Sequence, residues 1–171
     1  MTDLATARLV LDALALEDAR DLFAVRGDPE AMAFWDWPAD PNPEATVAVV
    51  AEMIREASAG HAKYWALRLR SDRTFVGLCD LSEVRPGDSA DIGFMLVRRH
   101  WDQGLAQEAV MAVLEYAREI GLRSVYARVH DQNERSVRLL KRVGFVAVQM
   151  IPHFEIRPGV FRSCRSFRKT L

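Results

Sequence analysis

The sequence predicts a mixed α/β (α+β) chain built on a largely antiparallel sheet. Residues 63–70, 74–84 and 90–98 are consecutive β-like runs separated only by the breaks SDR and RPGD, which is the pattern of a meander. From Gln103 the apolar period lengthens, and Leu105, Ala109, Ala112, Val113, Tyr116, Ala117 and Ile120 form one helical stripe closed by Gly121. That helix lies between the run at 90–98 and another at 124–130, so it predicts one parallel crossover.

The remaining elements follow in order. Residues 8–13 alternate as a short strand. Leu16, Ala19, Leu22, Phe23 and Val25 then give a helical stripe ended by Gly27, with a further helical turn expected over 29–34. WDWPADPNP, with three prolines, is a loop. Asn42 is placed to cap a helix that has Pro43 at its first position and Val47, Val50, Ile54 and Ala57 on one face. After the strand at 124–130, a short helix runs from the cap Asn133 to Gly144. Residues 145–151 and 160–171 read as a closing hairpin around RPG.

Composition narrows the function classes. The chain has 171 residues, half of them hydrophobic and 27% charged, which suits one globular domain over residues 1–171. Its 23 basic and 24 acidic residues leave a net charge of −1, which argues against holding nucleic acid by bulk charge. Cys79 and Cys164 can build no disulfide framework, have no metal-ligand spacing, and read as small buried strand residues. The N-terminus has early acids and no long apolar run, so neither a signal peptide nor a membrane span is expected. The expectation is a cytoplasmic protein with no metal, no membrane partner and no direct nucleic-acid partner.

The junction DIGFMLVRRHWDQGLAQEAV carries the chemistry. A strand runs into Arg98 and Arg99, then a loop with Gly104, then a helix whose first-turn amides lack internal partners and whose dipole favours anions. Glycine lets the backbone approach a phosphate closely, and two arginines add charge, so phosphate or pyrophosphate is the natural ligand. An ordinary βα turn with a solvated arginine pair is the competing reading. Neither a P-loop nor the G-x-G-x-x-G dinucleotide fingerprint occurs in the chain.

HWDQGLAQEAV resembles the pyrophosphate-loop motif of the GNAT acetyltransferases, roughly [QR]-x-x-G-x-[GA], over Trp101, Asp102, Gln103, Gly104, Leu105 and Ala106. Trp101 with Gln107, Glu108 and Ala109 resembles the RimJ/RimL-like branch, the ribosomal-protein N-terminal acetyltransferases, and its W-G-x-G-x-A-T-E-A pattern. Asp102 and Gln107 depart from that pattern, and Asp102 brings a negative charge near the anion site. NERSVRLLKRVGF resembles the same branch through Asn133, Ser136, Lys141, Arg142, Gly144 and Phe145. With a matching opening strand and helix, the resemblance spans almost the whole chain.

The resemblance implies a GNAT-like sheet of six to seven strands, splayed at a cofactor cleft and flanked by about four helices. It implies acetyl-CoA as co-substrate, its pantetheine arm paired to a strand edge at Met95, Leu96 and Val97. The loop amides of Gln103, Gly104, Leu105 and Ala106 would hold the pyrophosphate, with Arg98 and Arg99 as phosphate or ribose contacts. Asn133 would be a helix cap, a cofactor contact, or both. The reaction is amine attack on a thioester, with a backbone N–H as oxyanion donor. An α-amine of pKa about 7.7–8.0 is roughly a tenth neutral at pH 7, against about 0.04% for a lysine amine near 10.4, so an α-amine asks little of a base.

Ser136 matches the serine that the branch uses beside the sulfur and is the candidate donor to the leaving thiolate, the competing reading being a bond back to its own helix. Glu155 is the favoured base, at a position similar to the branch's glutamate and among Ile151, Phe154 and Ile156, whose apolar company would raise its pKa. Asp80 and Glu83 are runners-up and His153 a weaker alternative. The acceptor would meet Trp35, Asp36, Trp37 and Asp80, aromatic and acidic groups that suit a cationic amine. The expected partner is a protein N-terminus. A small amine such as an aminoglycoside, a polyamine or an amino-acid derivative is the alternative, and a non-catalytic acyl-CoA-binding sensor is a reading of another class. A homodimer through the last strands stays open.

Overall fold

Strands and helices form where the hydrophobic period places them. The computed structural model describes residues 3–171. Its strands are β1 (Leu4–Ala5), β2 (Leu9–Ala13), β3 (Lys63–Leu69), β4 (Phe75–Arg85), β5 (Ser89–Leu96), β6 (Ser124–His130), β7 (Val146–Arg157) and β8 (Val160–Thr170). Its helices are α1 (Ala19–Arg26), α2 (Pro43–Ser58), α3 (Leu105–Glu119) and α4 (Glu134–Arg142). Asn42 caps α2 as expected, its Oδ1 accepting from the Ala45 N–H at 2.9 Å. Among the described residues no helix is long and apolar enough to cross a membrane.

The sheet has eight strands in the order β1-β2-β3-β4-β5-β6-β8-β7. The expected six to seven becomes eight because the two-residue β1 pairs with β2. Two further expectations are corrected. Residues 29–34 form turns rather than a helix, since the Asp28 side chain takes the Glu30 N–H at 2.9 Å in competition with the backbone. The first strand of the closing hairpin does not stop at Ile151. It continues to Arg157 because β7 is an edge strand, and Pro152 falls at an irregularity in its pairing with β8.

The sheet's two faces bury different cores. On one face α3 packs Leu105, Ala109, Val110 and Val113 against Leu9, Leu11, Val76, Leu81, Ile92, Val125 and Phe167. Trp65 is fully buried there, its ring edge-on to Tyr116 at 5.2 Å. On the other face α1 and α2 pack Leu22, Val25 and Val50 against Tyr64, Phe75, Leu78, Met95 and Val97. Cys79 and Cys164 are buried free thiols on strands, as expected.

A buried ion pair fixes the long loop between α1 and α2. The Arg26 guanidinium donates Nε to Asp40 Oδ2 at 2.7 Å and NH2 to Oδ1 at 2.8 Å, and the Thr46 hydroxyl donates to Oδ2 at 2.6 Å. The two charged side chains are 6% and 9% exposed. Asp40 is thus occupied with structure and is not available to an acceptor. Burial raises its pKa, but the bonds from Arg26 and Thr46 and the arginine's charge outweigh it, and the net shift is downward. A carboxylate depressed in the fold contributes stability above its unfolded pKa and loses it as pH falls through the folded value. We therefore expect Asp40→Ala to cost about 3–5 kcal/mol at pH 7 by leaving Arg26 buried and unpaired. In urea denaturation the deficit should shrink below pH 4; a loss under 1 kcal/mol would contradict this role.

Candidate active site

β5 and β6 run parallel for only three pairs, Ser89–Ser124, Ala90–Val125 and Asp91–Tyr126, and then diverge. β5 continues with β4, and β6 continues with β8. The Val97 N–H donates to the Val76 carbonyl at 2.9 Å, so by strand alternation the main chains of Met95 and Gly93 also turn toward β4. Those of Phe94 and Leu96 face the cleft. The expected edge at Met95, Leu96 and Val97 is therefore shifted: Leu96 keeps its place, Phe94 joins it, and Val97 is sewn into the sheet. The Leu96 carbonyl is taken by the Trp101 indole N–H at 2.9 Å, which leaves the Phe94 main chain and the Leu96 N–H on the open edge.

The loop after β5 has the geometry of an anion site. Gly104 caps α3 with φ +78°, a left-handed conformation that a side chain resists. Behind it four long-range hydrogen bonds hold the loop. Glu108 accepts from the Arg8 N–H and Nε, each at 2.7 Å, and from the Thr6 hydroxyl, while Arg8 NH1 donates to the Gln103 carbonyl at 2.9 Å. Burial pushes the Glu108 pKa up, but these bonds carry it below the usual range, so it stays ionised as a clamp. The amides of Gly104, Leu105 and Ala106 belong to the helix's first turn and lack intrahelical partners.

α4 forms the opposite wall. Asn133 caps it through Oδ1, which accepts the Ser136 N–H at 3.2 Å, and both residues line the cleft. Arg135, Arg138 and Arg142 line it too, one helical turn apart. Arg135 stacks on the Trp101 ring at 4.5 Å and lies 3.4 Å from Asp102 Oδ2, so the charge that Asp102 brings to the loop has a partner. Together β5, the loop, α4 and the 30–35 turn enclose about 710 Å³, a size suited to a large cofactor. Met95, Leu96, Gly104, Leu105, Ala106, Asn133 and Ser136 line this space.

Other expected residues lie elsewhere. Arg98 is held by Asp28 at 3.1 Å and by Glu30, and Arg99 bonds His100 at 3.1 Å; neither lines the cleft. Gln103 is bound to the loop itself, its side chain donating to the Arg99 carbonyl at 2.9 Å. Trp35 reaches the cleft, whereas Trp37 is 57% exposed and Asp36 pairs with Arg128 at 2.6 Å. Glu155 is not brought to the cleft: it is exposed on β7, and its carboxylate accepts the Gly159 N–H at 2.9 Å, closing its own hairpin. The apolar company expected of it does not cover it. His153 is exposed against Phe161, and Glu83 is exposed beside Arg85. Asp80 alone among the expected bases is largely covered, on β4 beside the divergence.

Sequence reasoning missed Arg8, Phe94, Arg135 and Arg138. The basic stripe of α4 was legible as charges spaced three and four apart. Arg8 was not, because it meets Glu108 across 100 residues of sequence.

Comparisons with known proteins agree with this geometry. The sequence model described as Acetyltransferase (GNAT) domain matches residues 8–146. An N-acetyltransferase of Bacillus licheniformis named p20 is 28% identical over 165 residues, covering 93% of this chain and 90% of its own. The structure of RimL, a ribosomal L7/L12 α-N-protein acetyltransferase in complex with coenzyme A, superposes with a TM-score of 0.87 at 18% identity, over 99% of this chain and 98% of that one. Spermidine N-acetyltransferase from Vibrio cholerae, solved with CoA and spermine, superposes with a TM-score of 0.83 at 18% identity, over 96% of each chain. The fold and the cleft are those of an acyltransferase that takes its acyl group from coenzyme A. The chain belongs to the GNAT acetyltransferase family and is an N-acetyltransferase with acetyl-CoA as its co-substrate.

Alanine at Gly104 would have to hold φ near +78° at a cost of about 1–2 kcal/mol. If the loop relaxes instead, acetyl-CoA binding weakens about 5- to 30-fold. Calorimetric titration of Gly104→Ala should show that loss with the fold intact; unchanged affinity would remove the loop from the cofactor site.

Proposed function

We propose that this enzyme, acting as one cytoplasmic domain, moves the acetyl group of acetyl-CoA to the α-amine of a protein N-terminus. The amine attacks the thioester directly in a ternary complex. The observation that carries this reading is a second, open cavity of about 280 Å³ at the last β5–β6 pair, lined by Arg85, Asp91, Tyr126, Arg128, Ile151, Phe154 and Ser166. An open groove, whose lining sets the acid Asp91 among Arg85 and Arg128, admits a chain terminus more readily than it encloses a small molecule. RimL, whose fold this chain shares, is described as an α-N-protein acetyltransferase, which supports the same acceptor.

The cofactor roles follow from the walls of the first cavity. The amides of Gly104, Leu105 and Ala106 meet the pyrophosphate, the Phe94 and Leu96 edge meets the pantetheine arm, and Arg138 and Arg142 face the phosphates. The Phe94 N–H, free on the open edge, is the oxyanion donor. Ser136, on the facing wall, donates a hydrogen bond to the departing thiolate and relays it a proton.

Thiol release from acetyl-CoA should be measured against Ala- and Ser-starting peptides, N-blocked lysine peptides, spermidine and an aminoglycoside. Turnover with free peptide N-termini is expected; turnover with a small amine alone would move the acceptor to metabolism. Ser136→Ala should lower kcat about 10- to 100-fold, the value of a hydrogen bond to a charged group, and leave acetyl-CoA affinity unchanged. An unaltered kcat would remove Ser136 from the reaction.

A further inference from the structure

Both cavities take part of their lining from β5, and a carboxylate from the neighbouring strand stands over the stretch between the two linings. Asp91, Gly93 and Met95 share the α1–α2 face of β5. Asp91 lines the open groove and Met95 lines the cofactor cavity. Gly93, between them, carries no side chain, and Asp80 of β4, its cross-strand partner, occupies that space: a Cβ on Gly93 would collide with Asp80 Oδ1. The next residue is Phe94, whose N–H is on the open edge. Asp80 therefore lies over Gly93, between Asp91, which lines the groove, and Met95, which lines the cofactor cavity, and one residue from the Phe94 edge donor. No other acid or histidine considered as a base reaches this position.

Groups from β3, β4, β5 and α2 surround it. On its own strand the Ser82 hydroxyl bonds its carboxylate, and from β5 the Gly93 N–H does the same. Asp91 on β5 and Glu56 on α2 present further negative charge, and Tyr64 on β3, packed alongside, donates a hydrogen bond from its hydroxyl to Glu56.

We propose that Asp80 is the proton acceptor for the incoming amine, which reaches the thioester through the groove at Asp91, Tyr126 and Arg128. The proposal rests on the acetyl-transfer reading. The acceptor arrives as an ammonium, attracted by Asp80 and Asp91. One N–H proton passes to an Asp80 oxygen, leaving the nitrogen lone pair free, and is then lost to water. The lone pair forms the C–N bond at the thioester carbon as the carbonyl oxygen takes negative charge against the Phe94 N–H. The oxygen's electrons re-form the carbonyl, the C–S bond breaks, and the second N–H proton goes to the departing sulfur by way of Ser136. Amide, free thiol and one proton in water balance the ammonium and thioester consumed.

Burial pushes the Asp80 pKa up, with Asp91 and Glu56 adding to the rise against the bonds from Ser82 and Gly93, and it stands at about 7. A base poised there is ionised enough to accept and basic enough to hold a proton at neutral pH. Between about pH 4, where the unfolded carboxyl titrates, and the folded value, the fold holds a proton that the unfolded chain does not, so ionisation at higher pH opposes folding. Asp80→Asn relieves that cost and should unfold no earlier than the parent at pH 8.

The test is the pH dependence of kcat and kcat/KM with an Ala-starting peptide, for the parent, Asp80→Asn, Asp80→Glu and Gly93→Ala. The parent should lose activity below pH 7 through two ionisations, its own and the amine's. Asp80→Asn should lose about 10²-fold in kcat or more, keep its acetyl-CoA Kd within twofold, and show only the amine's ionisation. Asp80→Glu should recover part of the rate, and Gly93→Ala, which displaces the carboxylate, should fall with Asp80→Asn. The Asp80 carboxyl ¹³C resonance, identified by its absence in Asp80→Asn, should titrate near 7. A kcat within threefold of the parent with an unchanged pH profile would overturn the proposal, as would a carboxyl titrating near 4. A parent that acetylates no amine on the panel would instead overturn the transfer reading, and the resonance would still decide the state of Asp80.

Discussion

Everything functional in this molecule depends on two parallel strands that pair over three residues and then part. Had β5 and β6 stayed hydrogen-bonded to their ends, the main chains of Phe94 and Leu96 would be consumed inside the sheet. Parting leaves an edge that a ligand can complete. It also sends the chain through a loop that must enter α3 in a left-handed conformation, so the strand edge and the helix N-terminus face one space. The crossover that makes the pairing parallel is thus the same feature that opens the cleft proposed for the cofactor.

A cleft opened in this way needs its walls tied from outside, and long-range polar contacts do that. Arg8 and Thr6, before β2, grip Glu108 and the loop carbonyl of Gln103. Arg26 and Asp40 fix the loop that carries Trp35, and Asp36 joins it to β6 through Arg128, whose guanidinium lies 4.1 Å from the Phe154 ring. Arg135 joins α4 to Trp101 and Asp102. These ties surround the cavities instead of filling them, so the charged groups near the cleft are already partnered and pre-organised.

The sequence showed the scaffold well and the site in part, for physical reasons. Elements with a strong period, such as α3, or with clear punctuation, such as Asn42-Pro43 before α2, could be read directly. The loop around Gly104 and the pair Asn133 and Ser136, which line the cleft, were legible because a helix start needs particular residue types at fixed local spacing. Glu155 could not be judged, since alternation on a strand does not reveal that β7 is an edge with no layer over it. Val97 and Phe94 differ only in strand parity, which a single hydrogen bond from Val97 decides. Arg98 was legible as a charge, but not as one already spent on Asp28 and Glu30. Asp80 gains its meaning from Gly93, a cross-strand relation that the linear pattern does not contain.

In the proposed complex the cofactor completes the β5 edge and sits on the first turn of α3. Backbone amide NMR during an acetyl-CoA titration tests it most directly. The amides of Phe94, Leu96, Gly104, Leu105 and Ala106 should shift and gain protection from exchange, while those of Met95 and Val97, turned toward β4, should change little. Equal changes at Met95 and Val97, or a response confined to the β7–β8 hairpin, would contradict it.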